Sequence, residues 1–320
     1  QYFYEGNFKK LDVRAGDRLG RLYRVVPAAG EPRSLAPLKS LEPGDSAGLA
    51  ALTASPNGWI RDMAHQRLAH TRPAAAAPHL AGLAREAEHA QGRVQALCAL
   101  DALRKEAGTQ LMVKTLAAAL GDPHPGVRRH ALRISESYLD KSPPLQQAVL
   151  ALEKDGDPHV QLQLAYTLGE WAAPEAGRML GRLALANADD RYLTAAVLSS
   201  AEKNLEEIIA VVFAGVRGTA GQKKAARALS SKLLPLAAAF GRPRALAKVL
   251  EEITRRPAGA KAYEAWQLNA LAGLAQSATG DNSPFSKALQ KARKPIEEMV
   301  ASASALIGKP GAGEELRNAA

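Results

Sequence analysis

Asp157-Pro-His-Val160-Gln-Leu-Gln-Leu164-Ala165-Tyr-Thr-Leu168-Gly-Glu-Trp171 carries a helix start and an apolar stripe within fifteen residues. Asp157 is a good N-cap, because its carboxylate can accept the free amides of the first turn. Pro158 follows where a missing amide hydrogen does no harm. From Val160 the apolar positions run Leu162, Leu164, Ala165, Leu168 and Trp171, spacings of mainly three and four that place one stripe on a helix. The same opening recurs outward in both directions. Asn57-Gly-Trp-Ile60, Gln91-Gly-Arg-Val94, His124-Pro-Gly-Val127 and Asp190-Arg-Tyr-Leu193 align with it on Ile60, Val94, Val127, Val160 and Leu193, at intervals of 34, 33, 33 and 33 residues. Val127 leads into Ala131, Leu132, Ile134 and Tyr138, and Leu193 into Ala196, Val197 and Leu198.

Between these helices the sequence predicts partners over 74–86, 107–120, 144–154, 175–186 and 204–216. Leu111, Val113, Leu116 and Leu120 are expected to face inward in one, and Met179, Leu180, Leu183 and Leu185 in another. A lone helix pair cannot bury its stripe, so neighbouring pairs must stack. Tetratricopeptide and ankyrin repeats share this period but not these residues. The units resemble HEAT-like repeats. The predicted fold is therefore all-α, a HEAT-like α-α superhelix or solenoid of antiparallel helix pairs, with a short N-terminal β stub. Tyr2-Phe-Tyr, Leu11-Asp-Val-Arg and Arg21-Leu-Tyr-Arg-Val-Val26 are the strand-like segments. The expected organisation is a stub or linker over 1–34, repeats over 35–216, and further helical repeats or a helical bundle over 217–320. In the last part helices are predicted at 221–239, 243–256, 260–278 and 284–307.

Composition limits the chemistry. A single cysteine, Cys98, excludes an internal disulfide framework and a Cys-rich zinc site. His65 and His70 are five apart, off the four-residue spacing that aligns ligands on a helix, and no His-Glu-x-x-His motif occurs. No metal site and no cofactor are expected. Nucleophile-elbow, phosphate-loop and dinucleotide signatures are absent, so the chain reads as non-catalytic. No apolar run reaches the ~20 residues of a membrane span. Gln1 opens the chain with neither Met nor a basic-plus-apolar leader, which reads as an excised piece.

Three groups are candidate interaction residues. Trp59, followed by Arg61 and Asp62, could stack on a partner, or could staple the helix start while Arg61 pairs along the repeats. Arg61, Arg93 and Arg128-Arg129 fall near one edge of successive helices. They form either a basic groove for an acidic partner or phosphates, or a structural ladder neutralised by Asp62, Asp101 and Glu136. The net charge is +10, and between Arg217 and Arg256 ten Lys or Arg face only Glu251 and Glu252. Lys223, Lys224, Arg227, Arg242 and Arg244 stand out there. Phe240 is the only aromatic nearby, which favours a solvated face or an acidic partner over single-stranded nucleic acid.

Asp17-Arg-Leu-Gly-Arg-Leu-Tyr-Arg-Val25 resembles the exit strand of the β-propeller in membrane-bound dehydrogenases of planctomycetes and verrucomicrobia. Pro56-Asn-Gly-Trp-Ile-Arg-Asp-Met-Ala-His-Gln-Arg-Leu68, His124-Pro-Gly-Val-Arg-Arg-His-Ala-Leu-Arg133 and Gln163-Leu-Ala-Tyr-Thr-Leu-Gly-Glu-Trp171 are similar to the repeats that follow it there. The resemblance implies a propeller upstream, often a cytochrome c domain downstream, and an extracytoplasmic setting. On this reading the chain is a scaffold whose partners are other domains of its parent or an acidic protein. The alternatives are a nucleic-acid-binding repeat protein of the DNA-glycosylase kind, and an accessory segment contacting the substrate of a propeller oxidoreductase.

Overall fold

The computed structural model describes residues 44–240, 242–256, 260, 262–276 and 289–305. The chain divides into two compact units at Glu42/Pro43, and every described residue belongs to the second. The predicted strand stub lies outside the described residues.

Helices α1 (Ser46–Ala51), α2 (Gly58–Thr71), α3 (Ala76–Glu86), α4 (Ala90–Ala102), α5 (Arg104–Ala107), α6 (Thr109–Ala119), α7 (Pro125–Ser135) and α8 (Pro143–Leu150) make up the first part of the array. They are followed by α9 (Pro158–Glu170), α10 (Pro174–Ala186), α11 (Arg191–Ser199), α12 (Leu205–Gly215), α13 (Ala220–Ala239), α14 (Pro243–Thr254), α15 (Ala265–Gln276) and α16 (Arg293–Ser304). No strand occurs among the described residues. The fold is an all-α solenoid of antiparallel helix pairs. Within the repeats the first helices α2, α4, α7, α9 and α11 form one row, each packed on the next. In the second row α3 packs on α6, α6 on α8, and α10 closely on α12. Beyond this, α13 packs on α10, α12 and α15, α14 packs on α12 and α13, and α16 touches α14.

The helix starts obey their caps. Asn57 accepts the Trp59 amide at 3.0 Å, and Asp190 accepts those of Tyr192 and Leu193 at 2.8 and 3.1 Å. One Asp157 oxygen takes the His159 and Val160 amides at 2.9 and 3.1 Å. Replacing Asp157 by Ala is therefore expected to lower stability by about 1 kcal/mol; urea titration checks it, and an unchanged midpoint would show the cap to be idle.

Val127, Val160 and Leu193 are buried anchors, but the second repeat departs from the expected register. Val94 is only half-buried, and the equivalent of Val127 is Gly92. The neighbouring guanidinium shows why. Arg61 donates to the carbonyls of Ser55 and Pro56, Arg93 to those of Ala87 and Glu88, and Arg128 to those of Asp122 and Pro123. Arg93 therefore matches Arg61 and Arg128, and the residue before it, Gly92, holds the anchor place. A Cβ on Gly92 would come within 3.1 Å of the Ala54 backbone, so the site has no room for the apolar side chain that fills this place in the later repeats. The true intervals are 32, 35, 33 and 33.

The inward face of α6 is also rotated. Met112, Leu116 and Ala119 are buried together with Leu120, while Leu111 and Val113 are half-buried. Positions 112, 116 and 119 follow the helical repeat, which 111 and 113 cannot share.

Candidate functional site

The arginine edge of the first-helix row is a ladder of two rungs. Arg93 grips the Asp122 carboxylate with Nε and Nη2 at 2.7 and 2.9 Å, and Arg128 grips Asp155 at 2.7 and 2.8 Å. Each arginine also holds its own loop carbonyls, so one side chain ties two successive turns together. The aspartates are held in turn: Asp122 accepts the His124 amide and Asp155 the Asp157 amide, at 2.8 and 2.9 Å. Burial pushes both carboxyls up, but the arginine hydrogen bonds, the amides and the attached positive charge outweigh it. Both lie below the ordinary carboxylate range. Hydrogen bonds to those carboxylates raise Arg93 and Arg128, against the opposing effect of burial.

These partners differ from Asp62, Asp101 and Glu136. Asp62 is exposed, Asp101 lies 4.0 Å from Arg104, and Glu136 accepts from Thr167 and Gln163 at 2.9 and 3.3 Å. The ladder stops where the sequence stops supplying acids. Arg61 would need a carboxylate at the position of Ala87, so it donates only to its own loop. Gln161 takes the next arginine place and donates to the Asp155 carbonyl at 2.8 Å. Arg129 is exposed, and Trp59 is 59% exposed beside exposed Met63.

The second arrangement is a cleft of about 550 Å³ lined by the C-terminal end of α12, by α13, by the end of α14 and by the start of α15. Arg217, Lys223, Arg227, Arg255 and Arg256 line it, against Glu252 and Glu264. Its wall is fixed by buried Gln267. That side chain donates to the Ile253 and Arg255 carbonyls at 2.6 and 3.0 Å and accepts the Glu264 amide at 2.9 Å. Glu264 accepts the Trp266 indole N–H at 2.8 Å and pairs with Arg227. Glu252 pairs with Arg217 and Arg255 at 3.1 and 3.2 Å. The Arg256 guanidinium lies 5.1 Å from the Tyr263 ring centroid, and the Trp266 ring 6.3 Å from that of Phe213. Among the described residues Lys223 and Arg256 have no carboxylate partner, and the buried Arg227 Nε has no hydrogen-bond partner.

Of the basic residues singled out in the sequence, Lys223 and Arg227 line this cleft. Lys224 faces Asp189 at 3.8 Å in open solvent, Arg242 donates to the Glu202 carbonyl at 3.3 Å, and Arg244 is exposed. Trp266 and Tyr263, which lie beyond the basic stretch in sequence, are brought back to it by the α14–α15 connection. The helix opening Glu264-Ala-Trp266 repeats the form of Asn57-Gly-Trp59, and that likeness was the available signal.

Elsewhere Cys98 Sγ lies 3.8 Å from His130 Nδ1. Burial raises the thiol, and burial followed by the charges of Arg129 and Arg133 lowers the imidazole. This favours neutral forms of both groups rather than an activated thiolate. Among the described residues no three His, Cys, Asp or Glu side chains gather as a metal site would require, and no helix is long and apolar enough to cross a membrane.

No protein-family model matches the chain, and no curated protein matches it in sequence. Among solved structures it is similar to a chain of the CpcE–CpcF complex of phycocyanin lyase from Nostoc sp. PCC7120. The identity is 18%, with 87% of this chain and 100% of that one covered and a TM-score of 0.40. It is also similar to a chain in a structure of Kap95p bound to RanGDP, with 11% identity, 86% and 44% coverage and a TM-score of 0.41. A third likeness is to a chain from a study of the cadherin–beta-catenin interaction, with 15% identity, 85% and 59% coverage and a TM-score of 0.35. The chain thus spans the whole of the first of these chains and less than two thirds of the other two.

Proposed function

We propose that this chain is a non-catalytic helical-repeat scaffold that binds a protein partner along its first-helix row. The supporting observation is where the large apolar side chains are left in solvent. Among the described residues Trp59 and Met63 on α2, Tyr166 on α9 and Tyr192 on α11 are 59%, 43%, 45% and 64% exposed and all belong to that row, while a fifth, Val300, lies on α16. The Arg191 guanidinium lies 4.6 Å from the Tyr192 ring centroid. Trp, Tyr, Met and Arg are the side chains that protein interfaces concentrate, and the two-rung ladder stiffens the repeats between them.

The motif resemblance supports a finer reading: the partners are the other domains of a larger exported dehydrogenase-like protein, which places the chain outside the cytoplasm. Reading the coding sequence on either side tests this. A propeller before and a haem-attachment motif after are expected; unrelated flanks would remove the parent. The scaffold reading is tested by co-expressing the chain with its flanking domains as separate polypeptides. A complex on size exclusion at micromolar protein is expected, weakened at least about tenfold when Trp59, Tyr166 and Tyr192 are changed to Ala. Failure to associate, or association indifferent to these three changes, would overturn it.

A further inference from the structure

We propose that the cleft between α13, the end of α14 and the start of α15 is a docking site for an acidic peptide segment, seating a carboxylate side chain on Arg227, Lys223 and Arg256 beside Trp266. The inference rests on the scaffold reading only in taking the ligand to be a protein segment. Among the described residues five cations against two carboxylates leave the cleft lining positive. Much of that charge is uncommitted. Lys223 and Arg256 lack a carboxylate among the described residues, and the Arg227 Nε–H is buried with no acceptor. That atom is closed to solvent, so an incoming acid meets Lys223 and Arg256 first, and the unpartnered Arg227 donor marks a guanidinium that Glu264 alone does not satisfy.

The chain already shows which acceptor chemistry the seat takes. Glu264 receives the Trp266 indole N–H at 2.8 Å and pairs with Arg227. An incoming aspartate or glutamate would repeat that arrangement on the remaining donors, with the Trp266 ring flanking its methylenes. The two acids in the wall decide between kinds of polyanion. Nucleic acid carries a charge at every nucleotide and would meet Glu252 and Glu264. It also ordinarily stacks on successive aromatics, whereas among the described residues Trp266 is the one aromatic lining this cleft. A peptide presents its charges singly and can set neutral amides opposite the two glutamates. The cavity volume falls in the range that holds a small ligand or a few side chains rather than a duplex.

Fluorescence anisotropy of a fluorescein-labelled peptide of three glutamates alternating with glycine, with the full chain, tests this. At low salt saturable binding is expected, fading as salt screens it. Lys223→Ala with Arg256→Ala is expected to weaken binding by about tenfold. Lys224→Ala with Arg244→Ala removes the same charge outside the cleft and is expected to change it by less than about twofold. Glu264→Gln removes the internal competitor while Arg227 and Trp266 stay, so the peptide should bind severalfold more tightly. Thermal melts confirm that each variant is folded. Equal losses from the two double variants would reduce the effect to bulk charge. Weaker binding by folded E264Q, or an oligothymidylate of similar length outcompeting the peptide, would also overturn the proposal. If this peptide fails to bind while the complex with flanking domains persists, the cleft is refuted and the scaffold stands. Peptide binding without that complex refutes the scaffold.

Discussion

Gly181→Leu is expected to destabilise the array by about 3 kcal/mol, while Gly82→Ala stabilises it by up to about 1 kcal/mol. Both glycines sit inside helices, where each residue lacking a Cβ carries an entropic penalty relative to alanine. On that ground alone both substitutions should help. Gly82 in α3 has nothing within 4 Å of a built Cβ, so a methyl there only stiffens the unfolded chain. In α10 the outcome reverses. A Cβ on Gly181 would lie 2.7 Å from the Val211 Cβ and 3.3 Å from the Ile208 carbonyl oxygen. One turn earlier, a Cβ on Gly177 would lie 2.5 Å from the Glu207 Cβ and 3.0 Å from the Asn204 Cβ. These neighbours are the roots of side chains on α12 and its approach, not flexible tips, so the helices themselves must separate. Separation exposes Leu180 on α10 and Ile208 and Val212 on α12, all buried. Gly181→Ala should fall between, with clash exceeding propensity by about 1 kcal/mol. Urea titration gives the sign, and hydrogen exchange of amides 174–215 shows whether the loss is confined to α10 and α12. A Leu variant as stable as the parent would mean that α10 and α12 are not held at this distance.

The repeat period was legible because caps, prolines and apolar stripes each reported the same helix starts. At Val94 the apolar pattern misleads, because the residue in the anchor place is Gly92, which lies against the Ala54 backbone. Gly177 and Gly181 were illegible for a related reason. In sequence a helical glycine is only a weak position, and its purpose lies in a helix some thirty residues away. The arginines of the ladder were visible by their repeat. The helices offer Asp62, Asp101 and Glu136 as their acids, whereas the partners lie in the turn that opens the next repeat's first helix. Asp122 and Asp155 carry the same 33-residue interval, and each stands six residues before Arg128 or Gln161. The basic stretch in sequence omits Trp266, which reaches it through the buried Gln267 contacts that tie the start of α15 to the end of α14. Local chemistry was readable, and juxtaposition across repeats was not.

Replacing Asp122 and Asp155 together by Ala is expected to lower stability by about 3 kcal/mol or more at pH 7, a loss that shrinks as the solution is acidified. Arg93 and Asp122 side chains are 12% and 7% exposed, and Arg128 and Asp155 are 15% and 5% exposed. Solvent therefore screens these pairs far less than Arg85–Glu86, at 44% and 75%, whose removal should change almost nothing. Losing the acids leaves two nearly buried guanidiniums holding only loop carbonyls, the situation in which a broken pair is most damaging. The pH dependence follows from the lowered carboxyls. In the unfolded chain an aspartate titrates near ~3.9, and in the folded protein both titrate below that. The folded form therefore favours the charged state. That contribution is complete above the unfolded value and is lost as pH falls through the folded one, where both states are protonated. The raised arginines give the opposite sign, with stability lost only as pH climbs past their folded values, beyond the range where the chain can be studied. Urea midpoints of parent and double variant should consequently run apart at neutral pH and converge from about pH 4 downward. Every other acid is common to both proteins and cancels in the difference. Parallel curves down to the acid limit would mean that the two aspartates contribute shape but no charge to the joints between repeats, and the ladder would then be an incidental contact rather than what sets one pair upon the next.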